Sequence, residues 1–142
     1  MKVILALFAT LTLTGAAVSQ APPRNVIEIE RLCGEMDFRT PGPNGEAVPL
    51  GGVRLEIYAW TESFDCCDGA QALWKTTTGR DGSYKFGHVD AGQYWLVAHW
   101  AGKNFQLPIR FAPSKPVKGG CYLQGLEIDS EGNLKASIRA LM

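Results

Sequence analysis

Two-residue alternation, cut at short intervals by turn residues, constrains this chain more than any other feature. Over residues 53–60, Val53, Leu55, Ile57 and Ala59 fall on one side, and Arg54, Glu56, Tyr58 and Trp60 on the other. Successive side chains of a strand point to opposite faces, so this is the pattern of a strand with one buried face. Residues 93–100 repeat it, with Tyr94, Leu96, Ala98 and Trp100 on one face and Trp95, Val97 and His99 on the other. Residues 134–141 do so again, Leu134, Ala136, Ile138 and Ala140 alternating with Lys135, Ser137 and Arg139. Further strands are predicted over 26–33, continuing through Met36 and Phe38, and over 72–78, 83–86, 105–111 and 122–128. Clusters such as Thr40-Pro41-Gly42-Pro43-Asn44-Gly45, Gly79-Arg80-Asp81-Gly82, Asp90-Ala91-Gly92 and Asp129-Ser130-Glu131-Gly132-Asn133 separate them. Their Gly, Asn and Asp residues suit the backbone angles of tight turns. Seven or eight short strands with a turn roughly every 8 to 12 residues predict an all-β fold, a single antiparallel β-sandwich. No strand–helix–strand alternation is present, which argues against a parallel α/β sheet.

The N-terminus reads differently. Lys2 precedes an apolar run over residues 3–13, interrupted by Thr10 and Thr12 and followed by small residues. Ala17 and Ser19 fit the small-x-small rule for cleavage after Ser19, with Gly15 and Ala17 as a second cut. About eleven apolar residues fall short of the roughly 20 needed to span a bilayer. Residues 1–19 are therefore expected to be a signal peptide, 20–25 a flexible lead-in, and 26–142 the β-sandwich domain, with no membrane span in the mature form. The protein is expected to be secreted or periplasmic. With 14 basic and 14 acidic residues the chain has no net charge. Nucleic-acid binders carry a basic surplus on one face, so nucleic acid is not an expected partner.

All four cysteines, Cys33, Cys66, Cys67 and Cys121, follow the apolar segment. Export to an oxidising compartment makes disulfides the default. A Cys66–Cys67 bond would close a tight ring between neighbours, so each is expected to pair elsewhere. Cys33 and Cys121 are then their partners, in an order left open. A zinc site is disfavoured because the thiols lack a paired C-x-x-C and lack a histidine nearby in the sequence.

Three stretches occur in order. The first is Val48-Pro49-Leu50-Gly51-Gly52-Val53-Arg54-Leu55. The second is Thr76-Thr77-Thr78-Gly79-Arg80-Asp81-Gly82-Ser83-Tyr84-Lys85-Phe86. The third is Val89-Asp90-Ala91-Gly92-Gln93-Tyr94-Trp95-Leu96-Val97-Ala98. Together they resemble the carboxypeptidase regulatory-like domain, of the prealbumin-like, carbohydrate-binding-like sandwiches. The Asp81-Gly82 turn leads into a hairpin arm on which Tyr84 and Phe86 point inward. The resemblance implies a prealbumin-like sandwich without the zinc-peptidase residues, and a fold alone carries no activity. Residues 61–73 form a longer loop than the pattern has, and residues 102–142 lie beyond the match.

Catalytic chemistry has little support. His88 and His99 belong to no recognisable serine or cysteine motif. An iron site of two histidines and two tyrosines has the residues but no telling spacing. Asp65, Asp68, Asp81, Asp90 and Asp129 all fall in loops. None forms a D-x-D-x-D-G run, and turn formation accounts for them. The expectation is a non-catalytic exported module with no cofactor, whose partner is a carbohydrate or a cell-envelope protein. Tyr58, Trp60, Trp95 and His99 are its candidate ligand-binding residues. They share the second face of two strands that the prealbumin-like arrangement makes neighbours, and open aromatic faces stack on sugar rings. The competing possibility is that a loop or the C-terminal segment covers them. A small enzyme on a transthyretin-like sandwich, or a purely structural envelope protein, are the alternatives. A hydroxyisourate hydrolase would need a Tyr-Arg-Gly-Ser type ending, whereas this chain ends Arg139-Ala140-Leu141-Met142.

Overall fold

The computed structural model describes residues 26–67, 69–113 and 124–138. The expected signal peptide and lead-in, Asp68, Cys121 and residues 139–142 lie outside them. Ten strands and no helix occur among the described residues. They are β1 (Ile27–Ile29), β2 (Cys33–Arg39), β3 (Ala47–Pro49), β4 (Arg54–Ala59), β5 (Trp74–Thr77), β6 (Ser83–Lys85), β7 (Gly92–Trp100), β8 (Lys103–Phe111), β9 (Gln124–Ile128) and β10 (Leu134–Ile138). One sheet has the order β1-β8-β7-β4-β5, and the other β10-β9-β2-β3 with β6 also paired to β2.

Three expectations are corrected. The count exceeds seven or eight because the segment beginning at Val26 breaks at Glu30–Leu32 into β1 and β2, and because β3 carries no alternation to announce it. The sheets are not antiparallel throughout: β1 runs parallel to β8 and β2 parallel to β9, so both sheets are mixed. Alternation states which face is buried and says nothing of strand direction. The Asp81-Gly82 turn does not close a hairpin either. It joins β5, which pairs with β4, to β6, which pairs with β2, and so carries the chain from one sheet to the other.

That crossing is held tightly. Asp81 Oδ1 accepts from the Ser83 backbone N–H at 3.0 Å and from its hydroxyl at 2.6 Å. Gly82 has φ +79° and its carbonyl accepts from the Met36 N–H at 2.8 Å. A side chain there would press into the Met36 carbonyl, so only glycine suits both the angle and the space. Thr78 ties the same corner together, its hydroxyl donating to the Leu50 carbonyl at 2.6 Å and accepting from the Val53 N–H at 2.9 Å. Turn formation also accounts for Asp129, which accepts from the N–H groups of Glu131 and Asn133. The Lys135 ammonium 2.7 Å away and the Asn133 N–H hold its carboxyl far below the ordinary carboxylate range.

The inner faces of both sheets meet in one apolar cluster. Leu55, Ile57, Leu96 and Ile109 enter it from the first sheet, and Met36, Tyr84, Leu126 and Ile128 from the second. Removing this apolar surface from water is what favours the arrangement. Tyr84 and Phe86 point inward together, as expected, with rings edge to face at 6.3 Å. The core therefore occupies one face of the β4–β7 pair and leaves the other for the groups described next.

Candidate functional site

β4 and β7 are neighbours, as the prealbumin-like arrangement implied. They pair antiparallel with Arg54 opposite His99, Glu56 opposite Val97 and Tyr58 opposite Trp95. β8 extends these rows, placing Asn104 beside His99, Gln106 beside Val97 and Pro108 beside Trp95. β5 places Lys75 beside Glu56. Period two thus sends Arg54, Glu56, Tyr58, Trp95, Val97 and His99 to the outer face of the first sheet.

Of the two possibilities for the face carrying Tyr58, Trp60, Trp95 and His99, open or covered, the structure shows the covered one. Tyr58 is 4 % exposed and Val97 fully buried, and Trp60, Trp95 and His99 are half-buried. The cover is the segment between β4 and β5, the loop alternative weighed above. Phe64 packs its ring 5.2 Å from Tyr58 and stacks on Trp95 at 5.5 Å. Trp60 stacks on Trp95 at 5.0 Å, within 7° of parallel. Polar groups fix the same segment: Trp95 Nε1–H donates to the Thr61 carbonyl at 2.9 Å. The Gln106 amide donates to the Phe64 carbonyl at 2.7 Å and accepts from the Cys66 N–H at 3.4 Å. The aromatic stripe is therefore used largely to hold the chain's own loop. Phe64→Ala should release it. Limited proteolysis is expected to cut between residues 60 and 73 faster than in the parent, with a stability loss of about 1–2 kcal/mol from the lost ring packing.

A polar end remains accessible. Beside the aromatic stack lies a cleft of ≈ 520 Å³ lined chiefly by Arg54, Glu56, Tyr58, Cys67, Lys75 and His99. Glu56 is its hub. Oε1 pairs with Arg54 Nε at 2.8 Å, and Oε2 accepts from the Tyr58 hydroxyl. Burial pushes the Glu56 carboxyl upward, but the Tyr58 hydroxyl, His99 and Arg54 together bring it below its ordinary value. Burial, followed by the Glu56 carboxylate, pushes the Tyr58 phenol up to about 12. His99 Nδ1 lies 2.6 Å from the Asn104 amide oxygen. An amide oxygen only accepts, so Nδ1 carries the proton and donates. His99 Nε2 is buried and lies 3.2 Å from Glu56 Oε2, an ion pair when the ring is protonated.

The cysteines are arranged differently from expectation. Cys66 and Cys67 are bonded to each other across a cis peptide. Their Cα atoms are 2.9 Å apart. Cys33 is also disulfide-bonded. Sequence spacing offered Cys66 and Cys67 no histidine, but the fold does: both sulfurs and a ring nitrogen of His99 lie within 4.8 Å of one another. His88 is exposed at its turn, 3.2 Å from Asp90, and is not part of that cluster. Glu56, Asn104, Gln106 and Phe64 were not singled out in the sequence. The outward register of β4 pointed to Glu56, whereas nothing local announced where the loop would dock.

Comparison with family models, with curated proteins and with solved structures found no match to this chain.

Proposed function

We propose that this chain is an exported, non-catalytic binding module, secreted or periplasmic. Its fold in this reading is a prealbumin-like β-sandwich of the carboxypeptidase regulatory-like type. Two mixed sheets around one apolar cluster and the motifs over residues 48–98 support the fold. The ligand seat in this reading is the cleft on the outer face of the first sheet, and its ligand class is carbohydrate. One observation carries it: charged and hydrogen-bonding groups are pre-set in an open cleft at one end of an aromatic stripe that runs through Tyr58, Phe64 and Trp95 to the half-buried Trp60. Arg54, Glu56 and Tyr58 fix one another, and Asn104 fixes His99. Sugar recognition uses this combination of hydroxyl-binding polar groups and a flat apolar ring.

The test is a glycan array probed with the processed protein, followed by calorimetry on any oligosaccharide retained. Retention is expected, weakened about tenfold by Arg54→Ala or Trp60→Ala, the effect of losing roughly 1.4 kcal/mol of contact. Retention of no glycan would remove the carbohydrate reading. So would affinities unchanged in both variants.

A further inference from the structure

We propose that Cys66, Cys67 and His99 form a redox-gated site for a thiophilic cation such as Zn²⁺, closed while the two sulfurs are bonded and opened when they are reduced. This goes beyond the carbohydrate reading and does not depend on it. Thiolates and imidazole are the donors such ions select, and three protein ligands suffice to hold one. The sulfurs and the His99 nitrogen already lie within 4.8 Å of one another. Donors bound to one tetrahedral ion stand about 3.5 Å apart. Cleaving the sulfur–sulfur bond and small side-chain rotations bring this group to that spacing.

The imidazole supplies the second, independent observation. Its Nδ1 proton is committed to Asn104, so Nε2 is the ring nitrogen left to meet an ion. That nitrogen is buried and lies 3.2 Å from a Glu56 carboxylate oxygen. The Nδ1–H···O bond to Asn104 is also the outer contact that orients metal-bound imidazoles. Glu56 adds negative charge beside the site.

The chemistry balances with an external dithiol as reductant. One of its thiolates attacks a sulfur of the Cys66–Cys67 bond, and its second thiol resolves the mixed disulfide. The products are two cysteine thiols and the oxidised reductant. Binding Zn²⁺ then releases the two thiol protons. Cys66 and Cys67 are only partly buried and Cys67 lines the open cleft, so the reductant can reach their bond.

The experiment titrates the full processed protein with Zn²⁺ against a chromophoric chelator, before and after reduction by a water-soluble phosphine and anaerobic desalting. One equivalent is expected to bind after reduction and none before. Co²⁺ in place of Zn²⁺ should give a thiolate charge-transfer band. His99→Gln should weaken binding at least tenfold, and Asn104→Ala tenfold or more while leaving the cobalt spectrum thiolate-like. The double variant Cys66→Ser, Cys67→Ser retains Cys33, and after reduction it should bind none. Circular dichroism verifies that each variant is folded. Equal Zn²⁺ uptake before and after reduction overturns the proposal. So does unchanged affinity in His99→Gln, or uptake by the double serine variant.

Discussion

Gly34→Ala is expected to destabilise the protein by about 4 kcal/mol or more, a large share of the roughly 5–15 kcal/mol of a domain of ordinary stability. Gly34 sits in β2, between β9 on one side and β6 on the other, opposite Gln124 and Tyr84. An added Cβ would fall inside the van der Waals sphere of the Gln124 backbone carbonyl. That carbonyl accepts from the Tyr84 hydroxyl at 3.3 Å. Backbone on this parallel ladder cannot move aside without breaking the pairing of β2 with β9, which joins the two ends of the described chain. Gly87→Ala is the control. A Cβ there meets nothing within 4 Å, so its stability should stay within about 0.5 kcal/mol of the parent. Far-ultraviolet dichroism and urea unfolding at neutral pH separate the two. Equal midpoints for Gly34→Ala and the parent would show that β2 and β9 do not pair in this register.

Gly34 shows how far local pattern reaches in this chain. An isolated glycine inside a strand pattern is a recognised sign of close backbone approach, and Gly34 carried it. The partner, Gln124, is 90 residues distant and could not be named from local pattern. Faces were legible along most of β4: Val53, Leu55 and Ile57 turn inward and Arg54, Glu56 and Tyr58 outward, as alternation required, while Ala59 at its end is exposed. Direction was not, because parallel and antiparallel strands hide the same face; hence the unforeseen pairs β1–β8 and β2–β9. β3 escaped because Ala47, Val48 and Pro49 are all exposed and bury no alternating face. At the site, the resemblance led one to expect β4 and β7 as neighbours, but not the register that sets Tyr58 against Trp95. The docking of Phe64 over both rings did not follow from it either, since loop placement depends on contacts that only the assembled sheet supplies. The same holds for His99 beside Cys66 and Cys67. Spacing along the chain is a poor guide once β4, β7 and their connecting loop are stacked.

The hub of that stack supports the second large effect. Glu56→Ala is expected to cost about 2–3 kcal/mol at neutral pH, because it removes a charged acceptor from a mostly buried network. The Tyr58 hydroxyl loses its acceptor at a position almost sealed from water, while Arg54 can turn its guanidinium outward. The pH dependence distinguishes this from a simple packing defect. Glu56 has a folded pKa below its ordinary value, so its contribution is present above the ordinary carboxylate range and is lost as pH falls through the depressed folded value. The parent should therefore lose stability on acidification below about pH 4, and the variant should lose less over that window. Tyr58 behaves oppositely. Its phenol is raised to about 12, so its contribution is complete below the ordinary value near 10 and declines as pH rises toward 12. Removing Glu56 should lower the Tyr58 titration, because burial alone then opposes the phenolate. Urea midpoints across the acid limb, with phenolate absorbance across the alkaline limb, measure both. An acid limb as steep as the parent's, together with an unmoved phenolate midpoint, would mean that Glu56 does not hold this network together.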